Sequence, residues 1–203
     1  VPVVTRRPLA LLLVLFVAAG SAACSKQSEE NKPRSPTTTA RLGKISLSVL
    51  PAAGTPPPVT EAVKATLERY LADAILAPLR SGGPAPDLGP LFTAETAARV
   101  GGADRPALVS EGLPRATGGV EGDLTAAAIT PLLAGDQVPL VAVSIDLRLR
   151  ARDVEGATVK VSHQGQLVLV PDVPSWKISG YDITAVRDTP AGTTTTTAVK
   201  KTT

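Results

Sequence analysis

Apolar and polar positions alternate most cleanly between Val141 and Arg150, where Val141, Val143, Ile145, Leu147 and Leu149 interleave with Ala142, Ser144, Asp146, Arg148 and Arg150. A period of two places one set on a core face and the other toward solvent, so this segment is a half-buried strand. Leu42 to Val49 alternates in the same way and predicts a short strand. Between these, Val63, Leu67, Tyr70, Leu71, Ala74 and Ile75 recur at helical spacing and predict one long amphipathic helix over Thr60–Ala77. Thr60 is a candidate N-cap with Glu61 in the first turn, and Gly82-Gly83 end the helix. Lys64–Glu68 and Arg69–Asp73 are opposite charges four apart on its solvated side. Thr93–Val100 and Asp104–Val109 read as shorter helical pieces. Asp123–Leu133, Thr158–Val170 and Trp176–Arg187 read as further strands, with Gly165 permitting a bend in the second.

The two ends of the chain lack any such period. Residues 25–41 are polar and proline-bearing, with Pro33, Pro36 and Thr37-Thr38-Thr39, and read as a flexible tether. Residues 189–203 carry Pro190, Gly192 and Thr193 to Thr197 and read as a disordered threonine-rich tail.

The first two dozen residues differ from everything that follows. Arg6-Arg7 precede an apolar run, Leu9 to Ala19, and then the small residues Gly20-Ser21-Ala22-Ala23 stand before Cys24, the only cysteine. A basic start, a short apolar run and small residues before a cut form a secretion signal. The apolar run is about half of the ~20 residues a spanning helix needs. Cys24 directly after the small residues resembles the lipobox of bacterial lipoproteins, although that pattern usually has Leu, Val or Ile where Ser21 stands. The resemblance implies cleavage between Ala23 and Cys24, acylation of the Cys24 thiol, and attachment to the extracytoplasmic face of the cell membrane. Thr5-Arg6-Arg7-Pro8-Leu9 also fits the start of a twin-arginine signal, while two arginines equally suit the general secretory route.

Composition then removes several function classes. The formal charge is +3, and cleavage after Ala23 would remove Arg6 and Arg7 and no acid, leaving about +1. With two Phe, two Tyr and one Trp, no basic surface interleaved with aromatic side chains is available, which excludes a nucleic-acid partner. An acylated Cys24 leaves no thiol for a disulfide, so stability must come from packing. Abundant Ala, Gly, Pro and Arg with sparse Lys, no Met, and Val at position 1 fit a GC-rich reading frame opened by a GUG codon.

The order of helices followed by long antiparallel strands, with the long helix at Thr60–Ala77, Leu91-Phe92-Thr93 opening the next, Asp104-Arg105-Pro106-Ala107-Leu108, and Trp176 to Asp182 on the last strand, resembles the nuclear-transport-factor-2-like (NTF2-like, cystatin-like) superfamily. It is similar in particular to exported members tethered to the envelopes of high-GC Gram-positive bacteria. The resemblance implies an α+β cone with N-terminal helices packed on a curved antiparallel sheet of about four strands. The expected organisation is therefore a lipoprotein signal peptide at 1–23, a tether at 24–42, an NTF2-like domain at 43–188 and the tail at 189–203.

The resemblance also implies a cavity at the wide end of the cone, with Tyr70, Trp176 and Tyr181 as its candidate lining. Tyr181 and Asp182 are strand neighbours, so only one can face inward. Tyr70 on the apolar stripe packs with its phenol tip at solvent or a backbone group, and Trp176 anchors the last strand. Asp73, paired with Arg69, is a poor general base. His163, the sole histidine, reads as an exposed or half-buried strand residue, and one histidine without other soft ligands builds no zinc or copper site. No Ser-x-x-Lys, Gly-x-Ser-x-Gly or phosphate-cradling glycine loop occurs. The expected function is thus a lipid-anchored, non-catalytic envelope protein that binds a partner protein, with no metal and no cofactor. A carrier or sensor for a small apolar ligand or lipid in the cone is the alternative, and an isomerase or dehydratase a further one.

Overall fold

In the computed structural model, residues 38–42, 45–190 and 192–201 are described. The expected signal peptide, Ala23, Cys24 and the tether up to Thr37 lie outside them. Seven strands form one sheet in sequence order: β1 (Thr38–Leu42), β2 (Ile45–Pro51), β3 (Val120–Ala134), β4 (Gln137–Arg152), β5 (Thr158–Asp172), β6 (Ser175–Asp188) and β7 (Thr194–Lys201). All neighbours are antiparallel except β2 and β3, which run parallel. Parallel neighbours need a crossover, and the helical segment between β2 and β3 supplies it. One helical run dominates that segment: α1 (Pro57–Tyr70), a π-helical turn over Leu71–Leu76, and α2 (Ala77–Ser81). A 3-10 turn at Gly89–Leu91 and the short helices α3 (Ala94–Val100) and α4 (Arg105–Leu108) follow.

This overturns the expected cone of N-terminal helices on about four antiparallel strands. Among the described residues the sheet has seven strands and is mixed, and a single long helical run lies against it. The added strands come from segments without an apolar period. Thr38–Leu42, assigned to the tether, pairs with β2, and Thr194–Lys201, assigned to a disordered tail, pairs with β6 along its whole length. Threonine favours the extended backbone, and an edge strand gains its ladder hydrogen bonds without needing an inward apolar row.

The interior segments follow the pattern closely. On β4, Val141, Val143, Ile145, Leu147 and Leu149 are buried in the same core as Val63, Leu67 and Tyr70 of α1. The helix starts at Pro57 rather than at a Thr60 cap, since proline is tolerated in the first turn, and Thr60 Oγ1 instead donates back to the Pro56 carbonyl at 3.5 Å. Lys64 pairs with Glu61 at 3.4 Å rather than with Glu68, while Arg69 and Asp73 meet at 3.4 Å as expected. Gly82, in the left-handed conformation with φ 71°, closes α2.

A bulge in β6 decides which aromatic residues reach the core. The register moves from Leu169↔Ile178 to Val168↔Gly180, leaving Ser179 as an extra residue. Inward parity therefore switches from Trp176 and Ile178 to Tyr181 and Ile183, and both sets are buried. Further along the same ladder, opposite Ile183, Gly165 has φ 144°, and a Cβ there would lie 1.9 Å from the Asp182 carbonyl oxygen, so only glycine fits.

Candidate functional site

The aromatic residues expected to line a pocket are consumed by the interface between helices and sheet. Tyr70, at the end of α1, is buried and its hydroxyl donates to the Leu108 carbonyl at 2.9 Å. Burial raises its pKa, with the nearby Arg187 charge opposing. Trp176 packs into the core at the start of β6, and its carbonyl accepts the Thr66 hydroxyl at 3.0 Å. Tyr181 points inward while Asp182 is exposed, and the Tyr181 hydroxyl donates to Asp104 at 2.5 Å. Arg99 Nε donates to the same Asp104 oxygen at 2.7 Å. Arg99 first, and the Tyr181 hydroxyl after it, hold the Asp104 carboxyl below its usual range. All three aromatics therefore act as staples, the two tyrosines with their hydroxyls satisfied, and the depressions described below are lined by other residues.

Two polar features lie beyond the staples. The first is the contact of β6 with α4, where Arg187 donates through Nη2 to the carbonyls of Pro106 and Val109. Beside it Arg105 grips Glu111 through Nε at 2.7 Å and Nη2 at 2.5 Å, and Glu111 also accepts the Ala85 amide at 2.5 Å. A depression of about 390 Å³ opens here, lined by Gly102, Arg105, Pro106, Val109, Glu111, Gly112 and Arg187. Arg105 above all keeps Glu111 ionised, and desolvation lowers the Arg187 pKa.

Behind it lies His163, which departs from the sequence expectation. It is 0% exposed on the inner face of β5, and neither ring nitrogen has a hydrogen-bond partner among the described residues. Burial, helped by the Arg187 charge, lowers its pKa to about 3, so the imidazole is neutral at physiological pH. Val159, Val161 and His163 share one strand parity, and that signal was available in the sequence. Asp104 and Arg187, the polar residues that tie the layers together, carry no local pattern that marks them.

The second feature is the outer face of the sheet, which no helix of the described residues covers. Its rows run Glu121–Arg150–Lys160–Asp188 and Asp123–Arg148–Ser162–Val186 across β3 to β6. Arg148 also grips Asp146 at 2.6 Å, which keeps that carboxyl low. A shallow depression of about 580 Å³ lies over these rows. Its first row runs acid, base, base, acid, so both signs are mixed across the face.

Chemically, Asp104, Glu111 and Asp146 are held ionised, the tyrosine hydroxyls are donated inward and the histidine is neutral and sealed. Among the described residues no three His, Cys, Asp or Glu side chains gather as a metal site, and no helix is long and apolar enough to cross a membrane. Comparison with protein-family models, with curated proteins and with solved structures returns no match. The fold thus stands on its own description: a mixed seven-stranded sheet with a helical layer on its inner face and a charged, uncovered outer face.

Proposed function

We propose that this chain is a lipid-anchored, non-catalytic protein of the cell envelope, held on the extracytoplasmic face and acting as an interaction module for an envelope protein. The observation that carries the reading is the N-terminal run itself: Arg6-Arg7, the apolar stretch Leu9 to Ala19, the small residues up to Ala23, and Cys24 as the chain's one thiol. Two or three acyl chains at ~0.8 kcal/mol per buried methylene would make attachment at Cys24 effectively permanent.

The body supports the non-catalytic part. Asp104, Glu111, Tyr70 and Tyr181 are each engaged by a partner that fixes the fold, and His163 is closed off from solvent. The mixed charges of the outer sheet face suit a hydrated protein surface that also carries both signs. The burial of Tyr70, Trp176 and Tyr181 gives the apolar-carrier reading no support.

The test is expression in a high-GC Gram-positive host with mass spectrometry of the mature N-terminal peptide. The expected peptide begins at Cys24 with a diacylglyceryl thioether, and Cys24→Ser leaves an uncleaved or released chain. A wild-type chain recovered unacylated in the aqueous fraction refutes the anchor. Photo-crosslinking from position 162 on the outer face tests the interaction part, and refutes it if no envelope protein is trapped.

A further inference from the structure

The two ends of the sheet differ in kind. At one end the β4–β5 turn carries Arg152, Asp153 and Glu155, with Arg150, Lys160 and Asp188 close by in register. At the other, the β3–β4 and β5–β6 turns emerge side by side, because β3 and β5 run the same way. Here Leu132 is 54% exposed, Leu133 60% and Val173 93%. Pro139 and Pro174 are also exposed, and the charges at these tips are Asp136 and Asp172, the latter paired with Lys177 at 3.0 Å.

The β3–β4 hairpin extends beyond its pairing with the strands on either side. Pairing of β2 to β3 ends at Ile129 and pairing of β4 to β5 begins at Val141, whereas β3 and β4 stay paired through Leu132↔Leu140 to Ala134↔Gln137. A projecting ribbon wetted on both sides should be polar on both sides. The ladder shifts register between Leu132 and Ala134, and both Leu132 and Leu133 are exposed there, so this ribbon presents two leucines to solvent.

The direction of the chain says what meets this end. Thr38 pairs with Val49, which lies in the row of Ala126 and Ile145, and β1 runs away from the tips. The chain therefore enters β1 from the side of the tips. From the Ile145 row to Leu140 is about 17 Å at ~3.4 Å per residue. The thirteen residues Ser25–Thr37 separate Cys24 from β1, and a polar segment of that length has a typical reach of ~20 Å. The two lengths agree.

We infer that the end of the sheet bearing the β3–β4 and β5–β6 turns seats against the lipid bilayer, with Leu132, Leu133 and Val173 entering the headgroup region. The inference rests on the lipid-anchor reading above. It orients the body: the charged β4–β5 end faces away from the membrane and the outer sheet face stands upright, open to a partner. Because the tips bear acids rather than a basic cluster, seating works by apolar contact and persists at high salt.

The test uses the mature acylated protein reconstituted in phosphatidylglycerol–phosphatidylethanolamine vesicles. With the Cys24 thiol blocked by lipid, an introduced cysteine is the sole reactive thiol. A polarity-sensitive dye is placed at Leu133→Cys, Val173→Cys or, at the far end, the 71%-exposed Val154→Cys. The expected result is blue-shifted emission and quenching by brominated lipids at 133 and 173 and not at 154, unchanged in about 0.5 M salt. Leu132→Asp in the Val173→Cys protein should reduce quenching severalfold while leaving the thermal midpoint unchanged. The acyl mass on Cys24 is read from the same sample. An acylated chain whose probes at 133 and 154 behave alike overturns the seating, whereas an unacylated Cys24 overturns the anchor reading. Sedimentation showing a dimer that Leu133→Asp dissolves, with the probe at 173 unquenched by lipid, would assign this end to a second copy and also overturn the inference.

Discussion

Replacing His163 with leucine should stabilise the protein increasingly as the solution is acidified. The imidazole is wholly buried on β5 with two unpartnered nitrogens, and its pKa falls from 6.5 to about 3. A buried polar group left without a hydrogen bond costs about 1–3 kcal/mol, while repacking a near-isosteric side chain costs less than about 1.5 kcal/mol. At pH 7 these offset, so the variant should lie between neutral and about 2 kcal/mol more stable. Below pH 6.5 a second effect enters. The unfolded chain binds a proton that the folded chain refuses, so the stability present above pH 6.5 is lost as the pH falls toward 3. Each pH unit in that window removes about 1.4 kcal/mol, or roughly 2 kcal/mol by pH 5. Asp104, Glu111 and Asp146 have lowered pKa values and act below the ordinary carboxylate range, so a comparison at pH 7 and 5 isolates the histidine. Urea denaturation of both proteins at the two pH values is the assay. Wild type should lose about 2 kcal/mol more than His163→Leu between them. Equal losses would refute the reasoning, because they would mean that the ring finds a proton acceptor or water in the folded state.

Other substitutions test the remaining joints. Gly165→Ala should destabilise by several kcal/mol, seen as a large fall in the thermal midpoint, because its Cβ would overlap the Asp182 carbonyl. Ala128, with φ 55° beside the β3 register shift, is the reverse case, and Ala128→Gly should raise stability by up to about 1 kcal/mol in chemical denaturation. Tyr181→Phe removes the hydroxyl from Asp104 and should cost about 1–3 kcal/mol at pH 7, with the Asp104 carboxyl titrating at a higher pH by NMR. A stop codon after Asp188 deletes β7 and bares the edge of β6, so the truncated chain should melt earlier and aggregate; a tail outside the fold would leave both unchanged.

The contrast between β4 and β7 explains what could be read from the chain. β4 buries one face in the core, so its five apolar positions must alternate, and they could be read without a structure. β7 rests on β6 mainly through backbone pairing, its side chains are largely exposed, and nothing in Thr194–Thr197 distinguishes an edge strand from a loose tail. The parallel pairing of β2 with β3 was hidden for a different reason. Which strand a segment joins is settled by contacts between residues far apart in sequence, Ile45 with Gly122 and Leu47 with Leu124, and local periodicity carries no record of them. For the aromatic residues the sequence left two readings open, since whether Tyr70 and Tyr181 line a chamber or fill a core depends on what meets their hydroxyls. Those partners, the Leu108 carbonyl and Asp104, come from the loop and short helix after α3. The same logic gives the outer face its interest. Once the inner face is closed by these staples, the surface left to a partner is the side whose polar residues the alternating pattern had already turned outward.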